Sequence, residues 1–211
     1  MRCSSLSLPG ASLCPARRQG GASLIVVLLI LIVVSILGVG GAQIALQAEH
    51  GARNDRDMQI AWQAAEAALQ DAEFDIHGPG VTSRSAMLGS MPNPLDFVQD
   101  CGKASDGVKR VGLCALVQTG KPAWQTVNFT ATDASARTVK FGTFTARDFA
   151  SGGGTLTGVQ PFQAPRYVIE PIPDPDNRNL SLSNAYIYRI TAMGFGPRQD
   201  IQAVTQIIYR N

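Results

Sequence analysis

The sequence predicts an α+β fold: a long N-terminal helix, transmembrane over its first half, with an antiparallel sheet packed on its second half. Three observations predict it. No charge occurs from Ala22 to Ala42. Alanines and larger apolar residues then recur at helical intervals from Met58 to Ala72. Near the C-terminus, two runs alternate apolar and polar residues around a glycine-containing connection. A chain of 211 residues is long enough for one anchored domain of this kind.

The first element is a basic leader, residues 1–21. Arg2, Arg17 and Arg18 lie in it and no acidic residue does, so the formal net charge of +2 is a property of the leader. Without it the remainder is slightly acidic. Nothing in that remainder clusters Lys and Arg as a nucleic-acid surface requires.

The apolar run 22–42 is long enough to cross about 30 Å of hydrocarbon as a helix. Arginines just before it hold the N-terminus in the cytoplasm. Three fates are open to such a segment. It is a cleaved signal peptide, with Gly40–Ala42 as the small-residue site, an uncleaved anchor, or a helix kept intact by a cut on its cytoplasmic side. The Gly20-Gly21 step suits the third, because glycine has no side chain to obstruct a protease.

Helical periodicity continues to His77. Ala61, Ala65, Ala68 and Ala72, with Met58, Trp62 and Leu69, form a narrow apolar face. Arg53, Asp55, Arg56, Asp57, Glu66, Asp71 and Glu73 fall mainly between them; Glu66 and the Asp55-Arg56-Asp57 cluster are expected in solvent and Trp62 in the core. The helix 22–77 would run roughly 80 Å. Gly38, Gly40, Gly41 and Gly51 each cost about 1 kcal/mol relative to alanine, which predicts melting or bending between Gly38 and Gly51. "HGPG" from His77 ends the helix.

Residues 78–211 form the sheet domain. The Pro-, Gly- and Asp-rich stretch 90–120 reads as loop with short strands. "TVNFTA" from Thr126, "TVKFGTFTA" from Thr138 and "RYVIEPI" from Arg166 read as strands, and "SGGG" from Ser151 as a flexible turn. Tyr186, Tyr188, Ile190 and Ala192 share one face of the next strand. Ile201, Ala203, Thr205, Ile207 and Tyr209 share one face of the last, with "MGFGPRQD" as the hairpin loop between them.

Cys3 and Cys14 precede the apolar run, where a cytoplasmic location keeps thiols reduced. Cys101 and Cys114 follow it and are expected to form a disulfide in an oxidising compartment. Zinc is a poor alternative, because the spacing is not C-x-x-C and His77 is the only nearby histidine. With two histidines and no nucleophile motif, catalysis is not expected, and no cofactor or metal motif is present. "DPDNRN", Asp174 to Asn179, could offer oxygens to calcium, but a Pro/Asp/Asn turn explains it without an ion. Asn128-Phe129-Thr130 and Asn179-Leu180-Ser181 match the N-glycosylation pattern, which is frequent by chance.

"RRQGGASLIVVLLILIVV" resembles a type IV prepilin processing site. "NDRDMQIAWQAAEAALQDAE", Asn54 to Glu73, and "YRITAMGFGPRQDIQAVTQIIYRN" at the C-terminus resemble the PilX family of minor pilins. The middle, about 78–165, carries no such match. The resemblance implies a pilin-like fold, cleavage after Gly21 by a prepilin peptidase, and N-methylation of Ala22. Arg17 and Arg18 would orient the leader. Major pilins have a glutamate at the fifth mature position, where this chain has Val26. A buried glutamate is tolerated there only with a neutralising partner, so its absence implies a subunit at or near the filament tip.

The implied partners are other minor and major pilins, a large adhesin-like tip protein, the peptidase, and the inner membrane before assembly. The implied roles are pilus assembly, twitching motility and adhesion, with no nucleic acid involved. The location would be the inner membrane, N-terminus cytoplasmic and sheet domain periplasmic, and later the pilus. A minor pseudopilin of a type II secretion system, or a secreted or anchored periplasmic enzyme or binding module, are the alternatives.

Overall fold

A computed structural model describes residues 22–79, 82–89, 92–151, 158–175 and 186–210. Helix α1 spans Ala22–His77. Gly38, Gly40, Gly41 and Gly51 leave its helical pattern unbroken, so the predicted melting between them does not occur. Their cost is spread over 56 residues whose flanking turns still propagate cooperatively. The helix ends as glycine dictates. Gly78 takes φ +85° and its N–H reaches Phe74 O at 2.9 Å, closing the last turn.

The chain divides into two compact units, Met1–His50 and Gly51–Asn211. The second holds a four-stranded antiparallel sheet in sequence order: β1 (Val139–Lys140), β2 (Arg166–Pro173), β3 (Tyr186–Phe195) and β4 (Gln202–Tyr209). β2 pairs with β3 from Arg166↔Met193 to Pro173↔Tyr186, and β3 with β4 from Tyr188↔Tyr209 to Phe195↔Gln202. The last ladder runs two residues beyond Met193, so the hairpin loop is tighter than "MGFGPRQD". Gly196 N–H closes it on Ile201 O at 2.8 Å.

Strand alternation sorts the core. Tyr167, Ile169, Tyr188, Ile190 and Ala192 face α1 and pack on Ala68, Leu69, Ala72 and Ile76. Val168 and Met193 face the other way, under Cys101, Cys114, Ala123 and Phe129. The sheet is thus covered on one face by the helix and on the other by the disulfide-bearing loop. At Ile169 that loop also takes over the edge of β2 beyond β1: Cys114 N–H donates to Ile169 O and Ile169 N–H to Gly112 O, both at 2.9 Å.

Helix and sheet approach most closely at Gly194. A Cβ there would lie 2.1 Å from Ala61 O and 2.2 Å from Ala65 N. The alanine face of α1 and the glycine of β3 are complementary halves of one contact, which no larger pair could make.

One expected strand is not formed and another is cut short. Ala123–Thr126 is a short helix, α2, and Asn128 Oδ1 accepts from Thr130 N–H (2.9 Å) and Oγ1–H (2.7 Å), folding "TVNFTA" into a turn. In "TVKFGTFTA" only Val139–Lys140 is strand. Asp71 of α1 draws Gly142 N–H to 2.8 Å and binds Thr145, bending the rest away from a ladder. Residues 92–120 contain 3₁₀ turns and isolated bridges in place of short strands.

Candidate assembly helix

The first unit contributes the apolar part of α1. Its large side chains are open on every face: Leu24 is 72% exposed, Val26 54% and Ile32 48%. A core helix of a soluble protein buries a stripe, and this segment buries none. Only Ser23 and Ser35 are polar before Gln43, and Ser35 returns its hydroxyl to Leu31 O at 2.7 Å, the bond an apolar medium would demand. It belongs to the one helix among the described residues that is long and apolar enough to cross a membrane. Val26 lies in this open run. Ala22 is the first helical residue, while Arg17, Arg18 and Gly21 lie outside the described residues.

In the second unit α1 is locked to the sheet by buried charge. Asp75 and Arg84, both buried, form a bidentate pair; Arg84 Nε lies 3.1 and 3.0 Å from the two carboxylate oxygens. Arg84 Nη1 donates to Val111 O (2.7 Å) and Lys109 O (3.1 Å), and the guanidinium stacks 4.0 Å from the Phe144 ring centroid. Tyr167 donates its hydroxyl to Asp75 Oδ2 at 2.9 Å, and burial together with the Asp75 charge pushes the phenol well above its ordinary value. One ion pair therefore joins the helix, the disulfide loop and β2.

Asp71, one turn earlier, is also buried, although the sequence set it among the charges between the apolar positions. Burial raises its pKa, against the opposing pull of Thr145, Gly142 N–H and Arg147 at 3.8 Å. The sequence held a signal for both carboxylates. Asp71 and Asp75 each follow a core alanine, Ala68 and Ala72, by three residues and so share its face. On β2 and β3, Glu170 and Arg189 form a further pair at 2.8 Å that carried no signal in sequence spacing.

The opposite face of α1 is open. Trp62 is 52% exposed, not in the core, and its indole N–H donates to Glu66 Oε1 at 2.7 Å. The helix at Trp62 approaches the sheet so closely, through Ala61 and Ala65 on Gly194, that only alanine fits the buried face. The larger ring is left outside. Met58 is likewise exposed, as are Glu66 and Arg56, whose guanidinium pairs with Asp57 at 3.0 Å.

Cys101 and Cys114 are joined in a disulfide, both buried against Val168. Asp174 pairs with Arg210 at 2.9 Å, and residues 176–179 of the weighed calcium motif lie outside the described residues. Among the described residues no three His, Cys, Asp or Glu side chains gather as a metal site.

Comparison with known families matches residues 19–70 to the PilX N-terminal family and residues 110–211 to the type IV pilus assembly protein PilX C-terminal family. The two matches cover most of the chain, in order, around the open apolar helix and the terminal hairpin. The chain belongs to the PilX family. No curated protein and no solved structure gives a significant match. PilX membership makes this a minor pilin, a structural component of type IV pilus assembly that associates with other pilins. The Asp75–Arg84 pair and Cys101 fall between the two PilX matches.

Proposed function

We propose that this PilX-family pilin is made with residues 1–21 as a leader, residues 22–77 as the anchoring and packing helix, and residues 78–211 as the sheet domain. The helix 22–42 sits in the inner membrane, N-terminus cytoplasmic and sheet domain periplasmic. A prepilin peptidase cuts after Gly21, with Arg17 and Arg18 orienting the leader, and Ala22 is N-methylated. The subunit then leaves the bilayer and inserts its apolar helix among those of other pilins.

The observation that supports this reading most is the apolar segment of α1, open on all faces and joined through the same helix to a sheet domain with its own core. Such a helix requires apolar neighbours, first lipid and then other helices. Val26 cannot form the neutralising pair that a glutamate at this position makes with an adjacent subunit's amine. That favours a place in a tip or priming complex with other minor pilins and a large adhesin-like protein. Twitching and adhesion then depend on the chain through the filaments it initiates.

Deletion of the chain in cells that cannot retract pili tests the reading. Loss of most surface pili, restored by the wild-type chain, is the expected result. Normal piliation in the deletion strain would contradict a priming role.

A further inference from the structure

A second feature of the sheet domain has no part in anchoring or packing. Arg166, the first residue of β2, stands directly across from Lys140 of β1. Directly opposed cross-strand residues project to one face, where like charges repel. Arg166 is only 7% exposed. A buried guanidinium ordinarily has a carboxylate beside it, and this one has none among the described residues. Instead Nε donates to Thr138 Oγ1 (2.6 Å) and Nη2 to Thr138 O (2.8 Å).

Those two bonds use the Nε side of the fork. Of the five N–H donors of arginine, two on Nη1 and one on Nη2 have no partner among the described residues. Burial correspondingly lowers the Arg166 pKa.

That side chain lines a cavity of about 270 Å³, bordered also by Lys140, Ser151, Thr132, Gln163 and Phe162. Gln163 Nε2 is buried and has no hydrogen-bond partner. Among the described residues no acidic side chain lines this cavity; Asp148 lines the adjoining one, with Arg147. Two opposed cations, a glutamine whose amide nitrogen has no partner and two hydroxyl residues therefore border one space. The Gln163 amide nitrogen is left without an acceptor, so an acceptor that reached it would relieve that cost.

We propose that this cavity is a binding site for a small oxyanion, a carboxylate or phosphate group held end-on by Nη1 and Nη2 of Arg166. The Gln163 amide donates to the same group, Lys140 supplies the second positive charge at the mouth, and the Phe162 ring covers the carbon side of a carboxylate ligand. The planar end-on fork matches both groups, since each presents two oxygens at the spacing of the guanidinium nitrogens.

The test is calorimetric titration of the full chain in non-ionic detergent with inorganic phosphate and with succinate, ionic strength held constant with chloride. Saturable one-to-one binding of either probe is expected, and the preferred probe assigns the group. Gln163→Leu should weaken that binding about tenfold. Lys140→Gln should weaken it up to about fivefold, as for an exposed charge. Arg166→Lys should abolish it. Gln163 and Lys140 are the decisive positions, because neither holds the β1–β2 pairing through its side chain, and unchanged circular dichroism verifies their fold. Absence of saturable binding by both probes, or equal affinity in Gln163→Leu and Lys140→Gln, would overturn the proposal.

Discussion

Replacement of Arg84 by methionine tests the claim that one buried ion pair locks the helix to the sheet domain. Methionine keeps an apolar stem of similar reach and removes the charge. Asp75 would then stay buried with Tyr167 as its only side-chain donor, and the Lys109 and Val111 carbonyls would lose theirs. Breaking a buried pair from one side costs about 3–5 kcal/mol, most of it the orphaned charge. The stacking on Phe144 adds about 1 kcal/mol more. Destabilisation of about 4–6 kcal/mol is thus expected, a large part of the stability of a domain this size. Asp75→Leu combined with Arg84→Met removes both charges and should recover at least about 2 kcal/mol of that loss. Urea unfolding of the full chain in detergent, followed by fluorescence of the half-buried Trp124, measures all three proteins. A single-variant loss below about 1 kcal/mol, or a double variant no better than Arg84→Met, would refute the reasoning.

Three further outcomes follow from the same contacts. Gly194→Ala drives a methyl group into the α1 backbone and should cost at least about 3 kcal/mol, seen as a lower urea midpoint, whereas Gly51→Ala in open space should raise helix stability by about 1 kcal/mol. Reduction of Cys101–Cys114, or its replacement by alanines, should cost about 3 kcal/mol by the loop-closure argument and lower the thermal midpoint accordingly. Asp71 has a folded pKa above its ordinary 3.8, so its stabilising contribution is complete below that value and declines as pH rises through the folded pKa. The stability difference between wild type and Asp71→Asn should therefore shrink or reverse with rising pH over that window. A pH-independent difference would count against the assignment.

The long-range order of this fold was legible where a single periodicity ran for many residues. The apolar run after Gly21, the alanine spacing of α1 and the alternation of β3 and β4 each repeat one local rule, and the structure follows them. Legibility failed where a side chain from far away decided a local conformation. "TVKFGTFTA" alternates like a strand, yet Asp71, about seventy residues earlier, turns it at Gly142 and Thr145. Trp62 looked like core by hydrophobicity alone. The backbone approach at Gly194, invisible in the helix sequence, leaves no room for it inside. Arg84 and Arg166 gave no sign of burial, because a charged residue in a loop or at a strand end is ordinarily solvated. The pairing of Cys101 with Cys114 was readable only through the expectation, drawn from the apolar run, that the sheet domain lies in an oxidising compartment.

The mature N-terminus tests the central claim most directly. Mass spectrometry of the chain isolated from cells with an active prepilin peptidase should give a first residue of N-methylated Ala22, with the apolar helix intact behind it. A chain still carrying residues 1–21, or one beginning near Gln43 after loss of that helix, would contradict the account.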